Sequence, residues 1–251
     1  MEDPTWGLVE PELLTRIVVV SPHLDDAVLG TSHLLLRHPG STVVTVFAGR
    51  PRRYPEPPGP WDAAGGFQTG EDVVAARRRE DRRALEVLGA TPIWLDFVEQ
   101  QYLPPSDRAS ADDVAKTLSE TIRSAEASSV FLPMGLANPD HGTTHDAGML
   151  VREEMTELGW FCYEDAGYAH LPGLLAWRVG KLFQGGTWPT PAIVPQQPDA
   201  ELKRRAVWCY SSQIPPLEGE HALSSRLDAN VGEQYWRIAT PPVGWESLVD
   251  L

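Results

Sequence analysis

The sequence of 251 residues is poor in cysteine, in cationic residues and in long apolar runs. Its two cysteines, Cys162 and Cys209, make no C-x-x-C pair, so a disulfide framework is excluded. Lys and Arg number 21 against 35 Asp and Glu, which gives a net charge of −14. We therefore expect no nucleic-acid partner and no anionic-membrane partner, because phosphate groups would repel the chain. No run of about 18 apolar residues is present, so we expect no membrane span.

The first 16 residues, MEDPTWGLVEPELLTR, lack the cationic segment followed by an apolar segment that is typical of a secretory signal. Together with two cysteines that we interpret as reduced thiols, this predicts a cytoplasmic protein. The sequence also lacks a G-x-S-x-G motif and a glycine-rich phosphate loop. Nucleophilic serine chemistry and nicotinamide binding are therefore poorly supported.

Short apolar runs alternate with segments of helical period along most of the chain. This alternation predicts βαβ units and a Rossmann-like α/β fold with a mostly parallel sheet flanked by helices. We interpret residues 1–251 as a single domain with a long substrate or lid loop at about 49–70 and a C-terminal extension after about 185. Strands are predicted at 16–22, 41–49, 91–97, 129–134 and 160–165, and helices at 25–38, 71–90, 110–128 and 143–158.

Two polar clusters follow predicted strands of this sheet. VVVSPHLDDAVLG, residues 18–30, places His23, Asp25 and Asp26 where a buried strand meets its helix. Burying an unpaired carboxylate is costly, so such groups usually have partners, water or a metal. GLANPDHGTTHDAG, residues 135–148, follows the fourth predicted strand. Because ligands of open α/β sheets bind at the carboxyl ends of the strands, we expect the two clusters to meet there.

Two imidazoles and one carboxylate from these clusters suit zinc with a position left open for water. We predict His23, Asp26 and His141 as the metal ligands, and Asp25 as a base that takes a proton from water. A structural interpretation stays open, in which an Asp caps the following helix and His23 is a hydrogen-bonded core residue. The same donor set also accommodates other divalent ions such as Fe²⁺.

Several stretches together resemble the LmbE-like, or PIG-L, family of zinc-dependent N-deacetylases. SPHLDDAVLG is similar to the family's H-P-D-D-E motif after strand one, and NPDHGTTH to its later H-P-D-H motif. Further similarities follow in order from about residue 16 to 237, in RRREDRRALEVLG, WLDF, CYEDAGY, LKRRAVWCYSSQ and EQYWR.

The resemblance implies a hydrolase that removes an N-acetyl or other N-acyl group from an amino sugar or sugar-containing small molecule. The metal ligands and the base would be those named above, with Zn²⁺ polarising the amide carbonyl and Asp25 carrying the proton to the leaving amine. Arg77 and Asp96 match positions that contact substrate hydroxyls in sugar-processing relatives.

The sequence departs from the family's motifs at three positions. Leu24 replaces the Pro of the first motif and Ala27 its Glu, and neither position is a proposed ligand. Asn138 replaces the first His of H-P-D-H, which in the family is thought to stabilise the oxyanion and assist the leaving group. An Asn can donate a neutral hydrogen bond to an oxyanion but supplies no titrating proton. His145 is the alternative candidate for that role.

The loop at 49–70 holds further candidates for substrate binding. Arg50, Arg52 and Arg53 could hold a phosphate or carboxylate of the substrate, although such a run is also typical of a solvated loop. Trp61 and Phe67 could stack on a sugar face.

Two other functions stay open. One is an amidase on a non-sugar amide or thiol conjugate in specialised metabolism, and the other is a binding protein that retains metal without turnover. The expected partner is a small-molecule N-acyl substrate, and homo-oligomer formation is left open.

Overall fold

Apolar, β-branched runs form the strands, and the amphipathic segments between them form helices. The computed structural model describes residues 7–228 and 232–239. The strands are β1 (Ile17–Ser21), β2 (Thr42–Thr45), β3 (Thr91–Trp94), β4 (Ser129–Pro133), β5 (Gly159–Tyr163), β6 (Trp188–Ala192) and β7 (Tyr235–Ala239). The helices are α1 (Asp26–Arg37), α2 (Pro60–Ala64), α3 (Val73–Leu88), α4 (Ala111–Ser124), α5 (Pro139–Glu154), α6 (Leu174–Gln184), α7 (Ala200–Val207), α8 (Ile214–His221) and α9 (Leu223–Asp228). Short 3₁₀ helices cover Pro11–Leu14, Gln100–Tyr102 and Pro105–Asp107.

These strands form one seven-stranded sheet in the order β3-β2-β1-β4-β5-β7-β6. The five strands from β1 to β5 pair in parallel, whereas β7 is antiparallel to both β5 and β6. The predicted Rossmann-like α/β fold class with a mostly parallel sheet is confirmed.

Helices cover both faces of the sheet, so the central strands are buried throughout. In β1, Val19 faces a core that also contains apolar residues of α1, α3 and α7. Its neighbours Val18 and Val20 face the second core, which α4 and α5 cover. The alternation follows from the period of two along a strand, and it explains why the run around these residues is apolar without interruption.

The side on which successive strands join the sheet changes at its centre, between β1 and β4. From β1 the order runs through β2 to β3 on one side and through β4 to β5 on the other. The crevice at such a switch point lies between the carboxyl ends of the two central strands, which here are β1 and β4.

The structure differs from the sequence prediction most clearly at the start of α5. The helix was predicted from residue 143, but it begins at Pro139, with Asn138 as the N-cap. The Asn138 side chain accepts a hydrogen bond from the amide of Asp140, and Pro at the first helical position needs no donor partner. The NPDH motif therefore lies on the first turn of a helix, rather than in a loop before it.

The chain after residue 185 contributes two strands that the sequence pattern did not indicate. β6 contains Pro189 and Pro191, which is compatible with its position at the edge of the sheet. β7 inserts between β5 and β6. The ends of the predicted 1–251 domain lie outside the described residues.

Candidate active site

The acidic side chains of the β1–α1 turn, Asp25 and Asp26, line a cavity. Asp25 occupies the N-cap position of α1, but its side chain makes no capping hydrogen bond. The amide of Ala27 is instead satisfied by the hydroxyl of Ser21 at 3.0 Å. The carboxylate of Asp25 is therefore not a structural cap, and it lines the cavity described below.

Asp26 lies between two imidazoles. Its Oδ2 is 3.2 Å from Nδ1 of His23 and 3.2 Å from Nε2 of His141. Tetrahedral zinc with bonds of about 2.0–2.1 Å separates its ligand atoms by roughly 3.3 Å, so these three atoms fit around one ion. Within the described residues, the three side chains form a group whose ligand atoms all lie within 4.8 Å of one another.

Each histidine turns its other ring nitrogen to a second carboxylate. His23 Nε2 is 3.1 Å from Oδ2 of Asp140, and His141 Nδ1 is 2.5 Å from Oδ1 of Asp165. With a cation on the two nitrogens that face Asp26, the remaining ring proton of each histidine would lie on the nitrogen that faces Asp140 or Asp165, whose carboxylates accept it. Such carboxylate–histidine pairs are typical of metal sites.

Burial and neighbouring charges drive the pKa values of the two adjacent carboxyl groups apart. Burial raises the pKa of Asp25 to about 7, and the charge of Asp26 adds to the rise. Burial also opposes ionisation of Asp26, but the two histidines, His141 above all, outweigh it and hold its pKa well below the usual range. A carboxyl that exchanges its proton near neutrality thus stands beside one that stays ionised, which is the division of roles between a base and a ligand.

Asn138 lines the same cavity, next to the candidate metal ligands. Its side-chain oxygen accepts two hydrogen bonds, one from the amide of Asp140 at 2.8 Å and one from Nε2 of Gln100 at 3.0 Å. Its side chain also hydrogen-bonds Tyr168, whose pKa burial raises, so that the phenol stays protonated. The amide of Asn138 and the hydroxyl of Tyr168 are two neutral donors at one place in the cavity.

His145, the other candidate for the role of the missing His, lies away from these donors. Its Nδ1 is 2.9 Å from the carbonyl oxygen of Pro133, and its side chain is buried in the interior. Burial and the charge of Arg178 lower the pKa of His145 to about 3. The structure does not bring this histidine to the cavity wall.

The cavity has a volume of about 190 Å³ and one cationic residue in its wall. This residue is Arg77, which is 2% exposed. Its Nη2 donates to Asp62 of α2 at 2.8 Å, and its Nη1 is 3.5 Å from Glu99. Through Asp62, the predicted loop at 49–70 is connected to the wall of the cavity.

The other predicted substrate-binding residues do not line this cavity. The side chain of Asp96 is 91% exposed and pairs with Arg78. Arg50 and Arg53 are exposed and pair with carboxylates of their own surroundings. Substrate binding by these three residues stays a prediction, and the cavity gives it no support.

Sequence reasoning missed several residues of the site. Asp140 and Asp165 were present in the quoted stretches NPDH and CYEDAGY but received no role. Tyr168 closes the second of these stretches. Glu99 and His221 line the cavity without belonging to any recognised motif, so only the folded structure reveals them.

Comparison with known proteins gives one family and a set of structural neighbours. The family model described as PIG-L, GlcNAc-PI de-N-acetylase, matches residues 18–151. No curated protein matches the whole sequence significantly.

Several solved structures are similar over nearly the whole chain, among them two that are named as deacetylases. The zinc inhibited form of teicoplanin deacetylase Orf2 is 25% identical, with a TM-score of 0.74, over 92% of this chain and 100% of that one. The A40926 pseudoaglycone deacetylase Dbv21 is 26% identical, with a TM-score of 0.71, over 91% of this chain and 99% of that one. N,N'-diacetylchitobiose deacetylase from Pyrococcus horikoshii, at 18% identity and a TM-score of 0.55 over 94% and 89%, shares the fold.

Proposed function

Since this chain belongs to the PIG-L family, we propose that it is a zinc-dependent N-deacetylase whose substrate is an N-acylated amino sugar in a glycoside. Two of the similar structures above 20% identity are named as teicoplanin deacetylase and A40926 pseudoaglycone deacetylase. Their similarity extends over the cavity-forming part of the chain, which supports the same reaction class here.

The observation that carries this proposal is the donor set around Asp26. Two imidazole nitrogens lie 3.2 Å from one of its oxygens, and each imidazole is oriented by its own carboxylate. His23, Asp26 and His141 would hold zinc, which when bound polarises the amide carbonyl and lowers the pKa of water.

Asp25 acts as the general base in this proposal. Its carboxylate is buried beside the ligand group and takes the proton of the attacking water, then delivers that proton to the nitrogen of the leaving amine. Atoms balance, because water supplies the oxygen of the released carboxylic acid and the hydrogen of the amine. A raised pKa suits this double role, since the group must both accept and return a proton near neutral pH.

Asn138 and Tyr168 stabilise the oxygen on which negative charge develops. The Asn138 amide and the Tyr168 hydroxyl are neutral donors fixed in one wall, so they need no reorganisation as the carbonyl becomes tetrahedral. Arg77 lies in the wall of the cavity, where its pairing with Asp62 ties the loop at 49–70 to the site.

Metal content and acetate release from methyl N-acetyl-β-glucosaminide test the function together. We expect about one equivalent of zinc and acetate release in the wild type, and neither in His141→Ala. Asp25→Asn should keep the zinc and lose turnover by at least about a hundredfold. Retained turnover in Asp25→Asn would refute the assigned base, and a zinc-loaded wild type that releases no acetate from any N-acyl amine would favour a binding protein.

A further inference from the structure

Two carboxylates follow β3, and they face opposite directions. Asp96, the position expected to contact substrate hydroxyls, is 91% exposed in its side chain and pairs with Arg78 outside the cavity. Glu99, three residues later, is only 9% exposed and lines the cavity beside the candidate metal ligands. We propose that Glu99 is the carboxylate that binds the sugar hydroxyls of the substrate and selects a hydroxylated ring. This inference rests on the proposed deacetylase function.

The backbone around Glu99 is tied to the first turn of α5, which carries part of the site. The amide of Gln100 donates to Oδ2 of Asp140 at 3.1 Å, and the side chain of Gln100 donates to Asn138 at 3.0 Å. Asp140 in turn contacts His23. Glu99 is therefore held at a fixed distance from the ligand group, as recognition of one part of the substrate during reaction at another part requires.

Glu99 retains acceptor capacity because its cationic neighbour is committed elsewhere. Arg77 donates to Asp62 at 2.8 Å, whereas its Nη1 is 3.5 Å from Oε1 of Glu99, the limit of a hydrogen bond. Tyr102 also donates to Asp62, at 2.9 Å from Oδ2. Gln101 donates to Oε2 of Glu99 at 2.5 Å, which leaves Oε1 as the less satisfied oxygen.

Oε1 of Glu99 has one long donor contact, from Nη1 of Arg77 at 3.5 Å, so it keeps acceptor capacity for a ligand in the cavity. A sugar hydroxyl can donate to this oxygen, whereas a purely apolar ring offers it no donor.

A sugar ring also has an apolar face, and the same cavity contains an apolar side chain on which that face can pack. Trp61 lines it, and the indole N–H donates to Oε1 of Gln213 at 2.9 Å. The polar edge of the indole is therefore satisfied by the protein, and its apolar surface is left for the substrate. Glu99 and Trp61 together predict a pyranose ring rather than a flat aromatic or aliphatic amine.

Binding to an inactive, zinc-loaded protein tests this inference apart from turnover. Calorimetry would compare Asp25→Asn with the double variant Asp25→Asn, Glu99→Gln. The ligands are methyl N-acetyl-β-glucosaminide and N-acetylcyclohexylamine, which has the same ring size and no hydroxyls. We expect Glu99→Gln to weaken binding of the glucosaminide by about tenfold or more, and that of the cyclohexyl compound less than about twofold. Glu120→Gln, at an exposed position of α4, is the control and should change neither, whereas a selective loss of glucosaminide affinity in Asp96→Asn and not in Glu99→Gln would overturn the inference.

Glucosaminides that lack the 3-, 4- or 6-hydroxyl locate the contact. Glu99→Gln should no longer weaken binding of the analogue from which the contacted hydroxyl is missing. Glu99→Asp, which keeps the charge but shortens the side chain, should lose glucosaminide affinity with zinc content unchanged, and it serves if Glu99→Gln does not fold.

Equal weakening of both ligands would overturn the inference, because Glu99 would then act through its charge on the metal site. Unchanged glucosaminide affinity in Glu99→Gln, or no glucosaminide binding to Asp25→Asn at all, would overturn it as well. Acetate release from either compound by the wild type reports on the deacetylase function separately.

Discussion

Replacing Asp165 with Asn should impair zinc binding through the tautomer of His141. The two oxygens of Asp165 accept from two different donors: Oδ1 lies 2.5 Å from Nδ1 of His141, and Oδ2 accepts from the amide of Leu136 at 3.2 Å. An Asn has one oxygen and one NH₂ group, so it can accept from only one of these donors. If its oxygen stays with Leu136, its NH₂ group faces the imidazole and favours an unprotonated Nδ1. The proton then resides on Nε2, the nitrogen that would bind the metal.

Asp140 supplies a matched control for this change. Its contacts with Nε2 of His23 and with the amide of Gln100 both fall on the same oxygen, Oδ2. The single oxygen of an Asn can accept from both donors, so Asp140→Asn keeps the tautomer of His23 and loses only the negative charge. The two substitutions are chemically identical and differ in which tautomer they favour.

The magnitudes follow from this difference. Asp165→Asn carries the cost of a shifted tautomer or an unsatisfied buried donor, about 1–3 kcal/mol, which corresponds to a zinc affinity weaker by about 5- to 150-fold. Asp140→Asn loses the charge assistance of one hydrogen bond, about 1 kcal/mol or about fivefold. Competition with a chromophoric zinc chelator at pH 7.5 measures both, and thermal unfolding of the metal-free proteins checks the fold. Equal affinities for the two variants would refute the tautomer argument.

Three further predictions concern the cap, a buried histidine and a buried carboxylate. Asn138→Asp keeps an oxygen for the helix cap but loses the amide donor, so we expect kcat to fall by about a hundredfold with little change in stability; unchanged kcat would exclude this amide from oxyanion binding. The pKa of His145 is lowered to about 3 in the folded protein, so the unfolded chain binds more protons below its usual pKa of 6.5 and stability falls as pH drops. Between pH 7 and pH 5 this loss is about 2 kcal/mol, and urea denaturation should show it reduced in His145→Gln. Glu80 accepts from the hydroxyls of Ser211 and Ser212 at 2.6 Å each and from the amide of Ser212 at 3.0 Å. Glu80→Ala should therefore lower the free energy of unfolding by about 3 kcal/mol. A loss below about 1 kcal/mol would mean that water replaces the carboxylate.

The sheet and the position of the site could be predicted from local sequence patterns. The β-branched run of β1 and the helical segments after it indicate parallel βαβ units, and parallel strands bring polar residues after β1 and β4 to one edge. The proximity of His23, Asp26 and His141 could be predicted on this basis, because the first two follow β1 and the third lies on the first turn of the helix that follows β4.

Residues whose role depends on side-chain direction could not be predicted in this way. Asp96 follows soon after a strand, and yet it points to solvent, whereas Glu99 reaches the cavity beside a 3₁₀ turn whose position depends on a hydrogen bond to the first turn of α5. β6 and β7 escaped prediction for a related reason. The prolines of β6 weaken its strand pattern, and an edge position that tolerates them is known only once the sheet is assembled.

The start of α5 at Pro139 explains how the site accommodates an Asn where the family usually has a His. At an N-cap, Asn is among the best residues, and here its oxygen holds both the first turn of α5 and the segment that carries Glu99. A His at this position would lack the side-chain oxygen that caps α5, but its imidazole would be able to gain and lose a proton. The chain has the stronger cap, and in the proposed mechanism the proton transfers then fall to Asp25, whose pKa burial and Asp26 raise to about 7. In that mechanism, fixed oxyanion donors and a single proton carrier both follow from having Asn at position 138.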